Sequence, residues 1–409
     1  MQRACAAALI KGGNTVITNP GKSEDDLYAL AIIQQMGAKT VKLNADELLI
    51  ESNGLKAQTP LPENIYFGES GLSLRMFTPL IALSGSEVTI HGKGSLLARK
   101  NAIFDSVFPL LGVEFKSQAG QLPFRIKGPL RPANIRIDGS KGSQFLTGLL
   151  MAYAACASEG KLIEVDDLKS TPYIDLTLSI LQKFHLPLPQ NDDYKRFIFP
   201  PPVLRKDQQV HYTVEGDWSG ASFLLVAAAI NGRLSLSGLN PYSQQSDKSI
   251  LMALKDAGCE GSVFQQQIEV EESVLRPFYF DATDCPDLFP PLVALAAHCD
   301  GLSIIKGLNR LKDKESDRGL SLQSEFSKMG VEIELDYSKN EMKIQGGKKL
   351  KAGIFDPHHD HRIAMACAVA ALNADGESTI VNAESVNKSY PDFWQHLKSA
   401  GARVEIDGV

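Results

Sequence analysis

This chain of 409 residues is short of several things, and each shortage removes a class of function. Its six cysteines (Cys5, Cys156, Cys259, Cys285, Cys299 and Cys367) show no paired spacing, which argues against a disulfide framework or a thiolate metal site. Cys156, Cys299 and Cys367 fall inside apolar helical runs, where a free thiol behaves as a small hydrophobe. A basic excess is missing too. The formal net charge is −6, whereas nucleic-acid binding normally needs a positive face. No apolar run reaches the roughly 18 residues of a membrane span. The N-terminus lacks a cleavage-like site or the composition of a transit peptide. A cytoplasmic chain with neither nucleic acid nor membrane as partner is expected. Its length exceeds what one core usually serves, so two domains are expected as well.

What is present is a repeat. Six alanine- and leucine-rich stretches each open on polar or charged residues. Gln2-Arg3 leads into 4–10, Ser73-Leu74-Arg75 into 76–83, and Ser143-Gln144 into 145–157. Ser219-Gly220 then leads into 221–230, Asp287 into 288–299, and Asp360-His361-Arg362 into 363–372. Each closes just before a glycine (Gly13, Gly85, Gly160, Gly232, Gly301, Gly376), and the glycines recur about every 70 residues, the mark of a repeated supersecondary unit. After the glycine comes a β-type run such as 15–18 or 233–237, then a second helix with one apolar face, as in Leu27, Leu30, Ala31, Ile33 and Met36. Extended segments such as 40–43 and 48–51 close the unit.

Two helices and about four strands, six times over, predict an α/β fold of two domains with three units each. The all-apolar helices belong inside and parallel, the sheets outside. The domains are expected at 1–212 and 213–409, with a hinge near 209–215 after Pro200-Pro201-Pro202. Parallel buried helices would bring their N-termini to one face, where free N–H groups and the helix dipole attract anions. Ser and Asp at helix starts also read simply as caps. Asp287 after Pro286 reads equally well as a helix cap or as a functional carboxylate. Arginine in a first turn opposes the dipole, and Arg3, Arg75 and Arg362 all do so, which points to an anionic ligand.

Three segments go further. Lys314-Glu315-Ser316-Asp317-Arg318, Asp360-His361-Arg362-Ile363-Ala364-Met365 and Asp138-Gly139-Ser140-Lys141-Gly142-Ser143-Gln144-Phe145 resemble signatures of the EPSP synthase (3-phosphoshikimate 1-carboxyvinyltransferase) family. The likeness runs from Gln2-Arg3-Ala4 to Tyr390-Pro391-Asp392-Phe393. It implies the enolpyruvyl transferase fold, an inside-out α/β barrel, with the active site in the cleft between domains. It implies transfer of the enolpyruvyl group of phosphoenolpyruvate to the 5-hydroxyl of shikimate 3-phosphate, a step toward chorismate and the aromatic amino acids. It further implies a monomer that needs neither cofactor nor metal.

The resemblance also assigns residues. Arg99, Arg318, Arg362 and Lys388, with the Gly71 backbone and Gln144, match phosphoenolpyruvate ligands. Arg3 matches the contact to the shikimate carboxylate. Ser143, Ser170 and Lys314, with Tyr173 nearby, match ligands of the 3-phosphate. Asp287 matches the base for the attacking hydroxyl and Glu315 an acidic partner at the methylene carbon, and Lys314 is counted with them as catalytic. His361 reads as a hydrogen-bonder or phosphate contact rather than a general acid.

Some features depart from the family or mislead. The family's N-terminal strand and Pro-Gly-Ser-Lys-Ser turn would precede Gln2-Arg3, yet the sequence opens at Met1. On the resemblance this implies an N-terminally shortened chain with impaired turnover and an exposed sheet edge in the second domain. Pro20-Gly21-Lys22-Ser23 imitates that turn but follows the first buried helix, and Val16 stands where a P-loop needs glycine. Glu69, Leu72, Gly142 and Arg310 replace residues usual in the family. His358-His359-Asp360-His361 imitates a metal site without a separate ligand cluster. Two alternatives stand beside the main reading. One is UDP-N-acetylglucosamine enolpyruvyl transferase, opposed by the lack of cysteine in the loop 92–99. The other is a ligand-binding descendant without turnover.

Overall fold

Apolar residues around the whole circumference decide which helices are buried. The computed structural model describes residues 1–156, 158–201, 208–265, 267–312 and 314–407, so Ala157, Pro202 and Asp313 of the sequence reading lie outside the described residues. Two compact units are present, Met1–Val214 and Glu215–Val409. The helices of the first are α1 (Gln2–Lys11), α2 (Glu24–Gln35), α3 (Gly71–Ile81), α4 (Ile103–Val107), α5 (Gln144–Ala155) and α6 (Pro172–Lys183). Those of the second are α7 (Trp218–Ile230), α8 (Ile250–Asp256), α9 (Phe289–Ala297), α10 (Arg318–Lys328), α11 (His361–Ala371) and α12 (Phe393–Ser399).

Every residue of α7 and α9 is buried, and α1, α3, α5 and α11 are nearly so. The alternate helices bury one face only, as α2 does with Ala29, Ile32 and Ile33. Each unit has its own hydrophobic core. In the first, α3 and α5 meet backbone to backbone. A Cβ on Gly148 would stand 2.7 Å from the carbonyl oxygens of Arg75 and Met76, so only glycine permits the approach.

The sheets share one plan. Asn64–Tyr66 leads into α3 and pairs parallel with Glu87–His91 (Ile65 opposite Ile90), which pairs antiparallel with Gln121–Lys127, itself beside Glu114–Gln118. Ile135–Asp138 before α5, Tyr279–Asp281 before α9 and Ile354–Phe355 before α11 pair likewise with the strand that follows their own helix. Val210–Thr213 breaks the plan. It leads into α7 but pairs parallel with Gly13–Thr18, the strand after α1, with Val16 opposite His211. The region read as a hinge therefore holds a strand of the first unit's sheet. The sheet of Arg233–Ser237, Gln267–Glu271 and Gly261–Val263 has three strands, with Arg233–Ser237 at its edge among the described residues. Among the described residues the sheet near α11 has two strands, beside an isolated parallel bridge between Leu350 and Ala374, so four per unit is not general.

Helix ends differ from the sequence reading for local reasons. Ser70 accepts from Ser73 N, so α3 begins at Gly71 and Arg75 lies inside it. Pro286–Leu288 winds as a 3-10 turn and delays α9 to Phe289.

Candidate active site

Side chains tie together the heads of the buried helices within each unit. In the first unit, Gln2 Oε1 accepts from Ser73 Oγ at 2.8 Å and Ser70 Oγ at 3.3 Å, joining the start of α1 to that of α3. Arg75 donates to Gln144 Oε1 at 2.6 Å, at the start of α5, and to Asn101 Oδ1 at 2.8 Å. Arg75 donates to the carbonyl oxygen of Gln144, so that oxygen acts as acceptor and the amide NH2 is the group's donor side. Arg99 is buried against the head of α3, where a Cβ on Gly71 would stand 2.5 Å from its Nη1. Arg3 donates to Thr177 Oγ1 at 3.1 Å and lies over the Tyr173 ring, 5.7 Å from its centroid. Burial lowers the Arg3 guanidinium to about 10. Ser143 is buried at the head of α5 without capping it, and Ser170 is buried with φ 60° before α6.

In the second unit the expected residues form one charged network. Asp287 does not cap α9; Leu288 holds the cap position. Its carboxylate faces cations instead. Oδ1 accepts from Arg318 Nη1 at 2.7 Å and Lys314 Nζ at 3.1 Å, and Oδ2 lies 3.2 Å from Arg362 Nη2. Glu315 Oε2 is 2.7 Å from Arg318 Nη2, and its Oε1 is 3.2 Å from Lys388 Nζ. Arg318 Nε donates to Asp360 Oδ2 at 2.8 Å, so one guanidinium that is 1% exposed serves three carboxylates. Asp360 caps α11 by accepting from Arg362 N at 3.0 Å, which sets the helix that carries His361 and Arg362.

Burial opposes ionisation of Asp287, but Arg362, Lys314 and Arg318 outweigh it and hold the carboxyl well below the usual range. Asp360 is lowered likewise, against burial, mainly by Arg318. Burial lowers Lys314 despite Asp287. Burial also drops His361 to about 3, so its ring is neutral at physiological pH and has no proton to give as an acid. This has a measurable consequence. From pH 6.5 down to about 3 the unfolded chain takes up a proton at His361 that the folded chain refuses, so stability falls with pH. The limiting slope for this one group is about 1.4 kcal/mol per pH unit. Urea unfolding between pH 7 and 5 is expected to show a shallower loss for His361→Asn than for the parent.

The sequence assigns no site role to Asp360, Arg75 or Asn101. Asp360 was visible only as part of Asp-His-Arg, and Arg75 only as a cation against the dipole. Ser23, from the turn that imitates the family motif, is a cap that accepts from Asp26 N at 3.2 Å. Glu69 accepts from Ser95 Oγ at 3.3 Å, and Arg310 ends the turn Leu308–Arg310 ahead of Lys314. Among the described residues no helix is long and apolar enough to cross a membrane.

Known proteins fit this arrangement. The family model of EPSP synthase (3-phosphoshikimate 1-carboxyvinyltransferase) matches residues 2–397. The chain is 32% identical over 410 residues to the 3-phosphoshikimate 1-carboxyvinyltransferase of Clostridium novyi, covering 98% of this chain and 93% of the relative. It is 33% identical over 403 residues to that of Clostridium kluyveri, with the same coverage of 98% and 93%. The fold resembles the solved EPSP synthase of Acinetobacter baumannii with a TM-score of 0.79 at 23% identity, over 99% of this chain and 94% of that one. Two units of repeated α/β structure, a carboxylate and guanidinium network at the helix heads, and matches along nearly the whole length lead to one assignment: the chain belongs to the EPSP synthase family.

Proposed function

We propose that this chain transfers the enolpyruvyl group of phosphoenolpyruvate to the 5-hydroxyl of shikimate 3-phosphate and releases inorganic phosphate. The observation that carries the reading is the pairing of Asp287 and Glu315 with Lys314, Arg318, Arg362 and Lys388. Phosphoenolpyruvate presents a carboxylate and a phosphate. The planar, permanently charged forks of Arg318 and Arg362 suit both groups, and Lys388 adds a point charge. From the first unit, Arg99 beside Gly71 and the amide of Gln144 suit the same ligand. Arg3, Ser143, Ser170 and Tyr173 suit shikimate 3-phosphate, as Lys314 does its phosphate.

In the addition step the 5-hydroxyl oxygen bonds to C2 of phosphoenolpyruvate. Glu315 enters the step carrying a proton taken up from solvent once the substrate anions have engaged Arg318 and Lys388; Asp287 takes the hydroxyl proton while Glu315 delivers its own to the methylene carbon, giving a tetrahedral intermediate with a methyl group. In the elimination step the bond from C2 to the phosphate oxygen breaks. A methyl proton returns to Glu315, and the hydroxyl proton leaves with the phosphate. Asp287 alone among three cations is a weak base. Substrate anions that engage Arg318 and Arg362 offset those charges and raise its basicity when the hydroxyl arrives. The reading places the chain in the cytoplasm as a monomer, with no cofactor, nucleic-acid or membrane partner.

Phosphate release from phosphoenolpyruvate, with and without shikimate 3-phosphate, tests the proposal. Release that depends on shikimate 3-phosphate is expected. Release driven instead by UDP-N-acetylglucosamine, or binding of both substrates without turnover, would overturn it in favour of the other transferase or of a ligand-binding protein.

A further inference from the structure

One buried carboxylate stands outside the substrate network and next to its foundations. Glu325 lies in α10, two turns after Arg318 and on the same face, and its side chain is fully buried. Its Oε2 accepts from Lys328 Nζ at 2.6 Å and from the backbone N–H of Asp356 at 2.9 Å. Its Oε1 accepts from His358 Nε2 at 3.1 Å and Ser324 Oγ at 3.2 Å. Burial opposes its ionisation, but these donors outweigh it and hold the carboxyl below its ordinary value.

The segment it grips is unusual. His358 and His359 have φ of 52° and 58°, and Asp360 N donates to Pro357 O at 2.9 Å. Two successive positive φ values across that hydrogen bond make a turn that favours Asn-Gly, and histidine is a costly choice for it. The next residue is Asp360, which accepts from Arg318 and caps the helix that presents Arg362. Helix α10 thus clamps the segment 356–360 twice, by Arg318 at one end and Glu325 at the other.

We infer that Glu325 is a positioning residue for phosphoenolpyruvate binding: through His358 and the Asp356 amide it holds the strained turn that places Asp360 and Arg362. The inference rests on the functional reading above, in which Glu325 is given no substrate contact. It also gives His358-His359 a purpose that a metal site does not supply.

The test is hydrogen exchange at the amides of Asp360 and Arg362, read together with the dissociation constant of phosphoenolpyruvate. Glu325→Gln is expected to speed exchange there and to weaken phosphoenolpyruvate by about tenfold, as small misplacements of a binding group do. Adding His358→Asn and His359→Gly, which suit the turn without strain, is expected to recover most of both losses. Unchanged exchange across 356–362, or a loosened turn with unchanged affinity, would overturn the inference. So would failure of the Asn-Gly turn to rescue, since a merely structural loss at Glu325 would not respond to it. Shikimate 3-phosphate-dependent turnover of the parent chain is measured separately. Its absence would remove the functional reading, while exchange at Arg362 would still decide the clamp.

Discussion

Arg318→Met is expected to destabilise the folded chain by about 3–5 kcal/mol and to abolish measurable turnover, because it leaves buried carboxylates without their shared counter-ion. The guanidinium is 1% exposed and reaches Asp287, Glu315 and Asp360 at 2.7, 2.7 and 2.8 Å. Methionine fills similar volume, so the cost reports charge and hydrogen bonding rather than a cavity. Arg318→Lys keeps the charge but cannot span three acceptors with one ammonium, and an intermediate loss is expected. The pH dependence separates this from ordinary misfolding. Asp287 and Asp360 have folded values below the ordinary 3.8, so they contribute stability that is present above that pH and lost as pH falls through their folded values. Removing Arg318 diminishes that contribution. The gap between parent and variant in urea unfolding should be full at pH 7 and narrow below about pH 4. A gap independent of pH would mean that packing, not charge, is what Arg318 supplies.

The parts of this architecture that were legible in the sequence are those written in local chemistry. The helix of 218–230 has no polar face to offer solvent, so its burial could be read directly. Gly160, Gly232 and Gly301 close helical stretches at φ of 68°, 129° and 130°, a conformation that favours glycine and so marks the period. The strand Val210–Thr213 was not legible, because its partner Gly13–Thr18 lies far away in the chain and nothing local announces the pairing. The same holds for the site. Asp287 in isolation was as good a helix cap as a catalytic group, and only the turn of Pro286–Leu288 directs it to Lys314, Arg318 and Arg362. Asp360 looked like a cap and is one, yet it also anchors Arg318. Glu325 was not singled out in the sequence, because its partners Asp356 N and His358 Nε2 lie some thirty residues on and nothing local announces them.

Asp287→Asn is expected to separate binding from chemistry more cleanly than any other single change. The parent carboxylate accepts from Arg318 at 2.7 Å and Lys314 at 3.1 Å and lies 3.2 Å from Arg362, so it competes with incoming anions for the same cations. Asparagine has nearly the same shape, but it neutralises the competitor and removes the base. Turnover is expected to fall by about 10²–10⁴-fold, the range associated with a positioned acid or base. Phosphoenolpyruvate should at the same time bind more tightly, because three cations lose a fixed counter-charge. The two effects have opposite signs, which a loss of folding cannot imitate, since misfolding weakens both. Single-turnover phosphate release and calorimetric titration of phosphoenolpyruvate read them separately. If affinity fell together with turnover, Asp287 would be holding the cations in place rather than competing for them, and the proton transfer assigned to it would need another acceptor.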